Sequence, residues 1–152
     1  MLIIAALSIE IAPLLNVLSA KKVKAYSNKT ALFHAGKHDL LITGVGPIMA
    51  KRTLVAYLDE YRPNFILNIG TAGMLNQELK LGEIYHIASV ITENENEIAL
   101  HLLTGEAGET CLSVRRCIED SGLRDHSHKK HQARLADMEC YAIAAIAKEN
   151  NI

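Results

Sequence analysis

Residues 40–70 read LLITGVGPIMAKRTLVAYLDEYRPNFILNIG. Leu40–Thr43 is an apolar run of strand length, broken by Gly44-Val45-Gly46. A helical pattern follows from Ile48 to Tyr61, with Ile48, Leu54, Val55, Leu58 and Tyr61 on one face. Pro63 stops it before a second apolar run, Phe65–Ile69. Working outward, Leu2–Leu7 and Ile84–Ile91 are further apolar runs, Val23–Tyr26 and Ala31–Ala35 are rich in strand formers, and Ile9–Leu18 has a helical pattern. Continuous apolar strands alternating with helices need a sheet covered on both faces, so the expectation is an α/β fold whose strands form one largely parallel sheet.

Two further segments complete the reading. Met138 to about Asn150 is apolar nearly all round through Cys140, Ala142, Ile143, Ala145 and Ile146, which predicts a helix sandwiched between other elements. Thr92–Ala136 is polar, with ENENE at 93–97 and HSHKKH at 126–131, and reads as loops plus one short strand, Cys111–Arg115. No linker or internal repeat divides the chain, so residues 1–152 are read as a single domain.

Composition narrows the partners. With 16 Lys+Arg against 17 Asp+Glu, the chain has no excess positive charge to neutralise a nucleic-acid backbone or an anionic membrane, and neither is expected as a partner. Three cysteines, Cys111, Cys117 and Cys140, show no CxxC spacing, which speaks against a disulfide framework or a structural zinc and for the reducing cytoplasm. The apolar opening MLIIAALSIEIAPLL is interrupted by Glu10 and lacks a basic leader, so it reads as a buried strand entering a helix.

In open α/β sheets, ligands bind beyond the carboxyl ends of the strands. Four segments qualify: Ser8 to Glu10, Gly44-Val45-Gly46, Gly70-Thr71-Ala72-Gly73, and Asp137-Met138-Glu139. Glu10 is either a general base or a solvated residue favouring a helix dipole. The glycine segments are either tight turns or places where a ligand approaches bare backbone. Glu139 lies in an apolar stretch where an ionised carboxylate is costly unless paired, which makes it the strongest single candidate. His126, His128 and His131 could bind a metal or belong to a solvated loop, and the second reading is preferred; no metal and no cofactor is expected. Cys111 and Cys117 read as small core residues, and Lys51 and Arg52 as a solvated helix face.

IIAALSIEIAPLL, TGVGPIMAKRTL, ILNIGTAGML, LKLGEIYHIASVIT and ADMECYAIAAIAKENNI resemble, in that order, the successive signatures of the nucleoside phosphorylase and nucleosidase superfamily. Within it they are nearest the methylthioadenosine/S-adenosylhomocysteine nucleosidases. The resemblance covers residues 1–92 and 135–152. It implies a three-layer α/β sandwich with a central mixed, mostly parallel sheet, and a homodimer. It also implies a purine nucleoside such as 5′-methylthioadenosine or S-adenosylhomocysteine as substrate, cleaved by hydrolysis at its N-glycosidic bond. On that resemblance Glu10 activates water, Thr71 is the hydroxyl residue near it, and Gly46 and Gly73 lie in the surrounding loops. Met138 contacts the ribose, Glu139 binds its hydroxyls, and Asp137 is a structural neighbour.

Two departures bear on activity. In the family pattern another strand follows, carrying an aspartate that protonates the purine and an arginine near the nucleophile; here the last residues are Asn150-Asn151-Ile152, and neither can be assigned. The segment before Asp137 is short and holds no Phe, Tyr or Trp to stack on a base. The expectation is a fold lacking the terminal strand and helix, weak or inactive as an isolated nucleosidase. The alternatives are a phosphorylase of the same fold, needing a cationic phosphate pocket, and a non-catalytic nucleoside binder.

Overall fold

The computed structural model describes residues 1–102 and 107–152. In chain order its elements are β1 (Leu2–Ala5), α1 (Ser8–Val17), β2 (Lys21–Ser27), β3 (Thr30–Ala35), β4 (His38–Ile42), α2 (Pro47–Leu58) and β5 (Ile66–Asn68). There follow β6 (Gly73–Met74), β7 (Ile87–Thr92), β8 (Glu97–Ala99), β9 (Glu109–Ser113), α3 (Ser121–His131), β10 (Leu135–Asp137) and α4 (Cys140–Glu149).

The strands form two five-stranded mixed sheets, ordered β2-β3-β4-β1-β5 and β6-β10-β9-β7-β8, where the sequence reading put them in one. The α/β class holds. In the first sheet β1 runs parallel to both β4 and β5. In the second, β9 runs parallel to both β7 and β10. The remaining pairings, β2 with β3, β3 with β4, β6 with β10 and β7 with β8, are antiparallel.

Period-two alternation in β1 explains why the first sheet is covered twice. Leu2 and Ile4 join Leu32, Leu41 and the α2 residues Ala50, Leu54 and Tyr57 in one core, with Ile143 and Ile146 from α4. Ile3 and Ala5 face the other way, where Leu40 and Ile42 meet Ile11 and the partly buried Leu14, Leu15 and Leu18 on and just beyond α1.

The expected apolar face of α2 is displaced. Its buried residues are Ala50, Thr53, Leu54, Tyr57 and Leu58, whereas Ile48 and Val55 are exposed. Tyr57 sets that rotation: it stacks on Tyr61 at 4.9 Å, and its hydroxyl donates to Asp39 Oδ2 at 2.6 Å. The Ile84–Ile91 run also begins later than expected, because Ile84 is 90% exposed and β7 starts at Ile87.

The final helix is sandwiched as its composition predicts. Ile143 and Ile146 of α4 enter the core of the first sheet, while Cys140, Tyr141 and Ala144 pack on Val90, Cys111 and Leu135 of the second.

The polar region holds more structure than the sequence suggested. Beyond β8 and β10 it contains α3, capped by Asp120, whose side chain accepts from Leu123 N at 2.7 Å, and closed by Gln132 in a left-handed conformation. HSHKKH is therefore largely helical rather than a loop. That part of the region formed by residues 103–106 lies outside the described residues.

Candidate active site

Because β1, β4 and β5 are mutually parallel, their carboxyl ends share one edge. The chain leaves β1 into α1, β4 into the Gly44–Gly46 turn, and β5 into Gly70-Thr71. Backbone bonds prolong the ladders past the formal strand ends: Gly44 N donates to Ala6 O at 3.0 Å and Ile69 N to Ile4 O at 2.9 Å.

Glu10 stands in the first turn of α1 with both carboxylate oxygens engaged. Oε2 accepts from Leu7 N at 2.9 Å; Oε1 accepts from Thr71 N at 2.9 Å and Thr71 Oγ1 at 2.8 Å. These bonds tie the loop after β1 to the loop after β5. Gly70 eases the approach, since a Cβ there would lie 3.3 Å from Glu10 Oε1, a tight contact.

Glu139 reaches the same edge from the other end of the chain. Its Oε1 accepts the backbone N–H of Gly46, which caps the N-terminus of α2 and is followed by Pro47. The positive end of a helix dipole favours a carboxylate there. Gly46 holds a φ of 92°, which favours glycine, so the turn aims its N–H at a cost few other residues could meet.

Burial holds the Glu139 carboxyl above the usual carboxylate value; the Gly46 N–H pulls it partly back, and the charges of Asp137 and Glu10 push it further up. The two acidic side chains therefore feel one another. Two carboxylates at one edge, held by different donors, can divide the work of base and cation-stabilising anion.

The family model described as the phosphorylase superfamily matches residues 1–104. The chain belongs to that superfamily. It is 36% identical over 109 residues to the 5′-methylthioadenosine/S-adenosylhomocysteine nucleosidase of Buchnera aphidicola subsp. Baizongia pistaciae, covering 68% of this chain and 42% of the relative. With the enzyme of the same name from Buchnera aphidicola subsp. Schizaphis graminum it shares 32% identity over 85 residues, 54% of this chain and 36% of the relative. The chain thus spans less than half the length of the curated relatives it matches.

Among solved structures, the Campylobacter jejuni nucleosidase of that name superposes with a TM-score of 0.82 at 18% identity, over 99% of this chain and 80% of the other. Native futalosine hydrolase of Helicobacter pylori gives 0.83 at 14%, over 99% and 79%. The three share one fold.

Within this superfamily chain, Glu10 is hydrogen-bonded to Thr71, and Glu139 to Gly46. Gly73 is placed differently: it belongs to β6, opposite Ala136 of β10, and a Cβ there would make only an ordinary contact. Met138 packs half-buried on the cluster of Leu75, Leu112 and Val114, with its Sδ 3.9 Å from Cys117 Sγ. Cys117 is exposed, contrary to its reading as a core residue, because the turn after β9 carries it out of the sheet.

The three histidines do not converge. His128 is tied down inward, with Nδ1 2.8 Å from Ala133 O and Nε2 3.3 Å from Asn76 Nδ2. Among the described residues no cluster of three His, Cys, Asp or Glu could hold a metal.

Sequence reasoning placed Gly70 in a candidate loop but missed its closeness to Glu10, and it passed over the Leu7 N–H. The first is visible only as a neighbour of Glu10 that is distant in sequence. The second had a local signal, since an acidic residue three positions into a helix commonly reaches back to the cap.

Proposed function

We propose that the chain is a nucleosidase that hydrolyses the N-glycosidic bond of a purine nucleoside of the 5′-methylthioadenosine or S-adenosylhomocysteine type. One observation carries this reading: Glu10 and Glu139, from opposite ends of the chain, stand at one sheet edge, each on backbone N–H donors and within each other's field. Similarity to the Buchnera nucleosidases supports the choice of substrate.

In this reading Glu139 accepts hydrogen bonds from the ribose hydroxyls and stabilises the positive charge that builds on the sugar. Glu10 orients a water, with Thr71 alongside, and takes its proton as the oxygen bonds to the anomeric carbon. The C–N bond breaks with its electron pair leaving on the purine, which takes a proton from solvent water, and Glu10 afterwards returns its proton to solvent. Met138 contributes an apolar wall to the ribose, and Gly46 keeps the backbone at the start of α2 close.

The test incubates the protein with 5′-methylthioadenosine, with and without phosphate, and assays free adenine. Phosphate-independent release is expected. Release that requires phosphate would make the protein a phosphorylase, and saturable binding without release would make it a nucleoside-binding homologue.

The same reading takes the chain to act as a homodimer in the cytoplasm. Ile48 and Val55 on α2, with Ala56, form an exposed apolar strip flanked by Lys51, Arg52 and Asp59, which supports a contact between copies. Sedimentation equilibrium checks this, and a single monomeric species would remove the dimer.

A further inference from the structure

The Glu139 side chain has no rigid support from its own flank of α4: as the residue before the helix it has φ −124° and ψ −31°, and no side chain on the cap residue closes the turn. What holds it comes from β9 and β10. Asp137 Oδ2 accepts from Glu139 N at 2.9 Å and Cys140 N at 2.6 Å. Ser113 Oγ accepts from Tyr141 N at 2.9 Å and donates to Asp137 Oδ1 at 2.6 Å. One hydroxyl and one carboxylate thus satisfy three successive N–H groups that a helix start leaves unpaired. Ser113 and Asp137 are themselves paired in the parallel β9–β10 ladder, and Val114 N donates to Asp137 O at 2.8 Å, so both anchors are fixed to the second sheet.

We propose that Ser113 and Asp137 are positioning residues: together they clamp the start of α4 onto the second sheet so that the Glu139 carboxylate meets the Gly46 N–H on the first. This deepens the nucleosidase reading, on which its catalytic meaning rests, by extending the working site to a strand that touches no ribose. Ser113 is the more informative member because its hydroxyl both accepts and donates. Alanine there deprives Tyr141 N of its acceptor and Asp137 Oδ1 of its hydroxyl donor, leaving it only the Cys111 thiol at 3.7 Å. Threonine keeps both.

Gly46 N–H reports the position of Glu139 without any need for turnover. Amide hydrogen exchange at Gly46 would be measured by NMR on the full chain, its Ser113→Ala and Ser113→Thr variants, and Glu139→Ala as the level of complete loss. Exchange at Ile4 in β1 serves as the reference for the fold. Ser113→Ala is expected to speed Gly46 exchange about tenfold toward the Glu139→Ala level, with Ile4 unchanged and threonine restoring protection. Should Ser113→Ala not fold, Asp137→Ala, which removes the acceptor of Glu139 N and Cys140 N, replaces it with the same expectation.

Gly46 exchange at the wild-type rate in the alanine variant would overturn the clamp. Adenine release is followed in parallel, and kcat should fall about tenfold in Ser113→Ala and recover in Ser113→Thr. A loosened Gly46 with unaltered turnover also overturns the proposal. If the wild-type chain releases no adenine, the nucleosidase reading fails on its own, and Gly46 exchange still decides whether the clamp exists.

Discussion

Glu10 and Glu139 are both carboxylates at one edge, yet their surroundings give them different partners and different expected responses to substitution. Glu10 is satisfied by three donors on two loops, so replacing it with glutamine keeps an acceptor for Thr71 while removing the basicity. Glu10→Gln is expected to lower adenine release by on the order of 10²–10⁴-fold with little change in nucleoside affinity, as steady-state kinetics and calorimetric titration would show.

For Glu139 the sign reverses what intuition suggests about stability. Its carboxyl is raised in the fold, first by burial, so the native state binds a proton over a range of pH where the unfolded chain has released it. Stability from this residue is therefore full below the ordinary carboxylate value, falls as pH rises from there, and is lost above the raised value. Glutamine mimics the neutral form and can still accept from Gly46. Glu139→Gln should melt no lower than wild type at neutral pH and should flatten the melting temperature across that window, while binding nucleoside more weakly. A lower melting temperature at neutral pH would contradict this account.

At the scale of elements, α4 is the piece on which both sheets depend. Ile143 is 4% exposed and packs with Leu2, Leu54 and Tyr57, whereas Cys140, Tyr141 and Ala144 on the same helix pack against the second sheet. Truncating Ile143 to alanine is expected to cost about 2–5 kcal/mol in urea denaturation, in the range for a buried aliphatic side chain whose neighbours cannot collapse around the gap.

The elements also show why legibility in sequence was uneven. A helix packed between two sheets such as α4 and a two-faced strand such as β1 announce themselves, because contact on both sides demands apolar residues on both sides. α3 has only Ser127 buried, so no apolar stripe marks it. Its caps, Asp120 before it and a run of His and Lys in its last turn, were the available signals. In α2 the helix was legible but its rotation was not, since Tyr57 is drawn inward by stacking and by Asp39, a partner on β4.

The whole molecule joins two sheets through one helix and brings a candidate site to the line between them. Glu10, Thr71 and Gly46 come from loops of the first sheet, and Glu139 follows β10 of the second. A nucleoside bound there would tie the two sheets together. 5′-Methylthioadenosine at about 100 times its dissociation constant is therefore expected to stabilise the fold by about 2.7 kcal/mol, raising the melting temperature. Adenine alone, lacking the ribose that Glu139 would hold, should do so far less.

The sequence by itself determined the α/β class, the sandwiched final helix, and the residue types available at the loops, because burial and chain reversal impose composition locally. Only the tertiary structure decided that the strands divide into two sheets, that Gly70 makes room for Glu10, that Gly73 lies in a ladder, and that Ser113 and Asp137 brace Glu139. Those are contacts between residues far apart in the chain, and the hydrogen bonds that create them leave no periodic trace in either partner's neighbourhood.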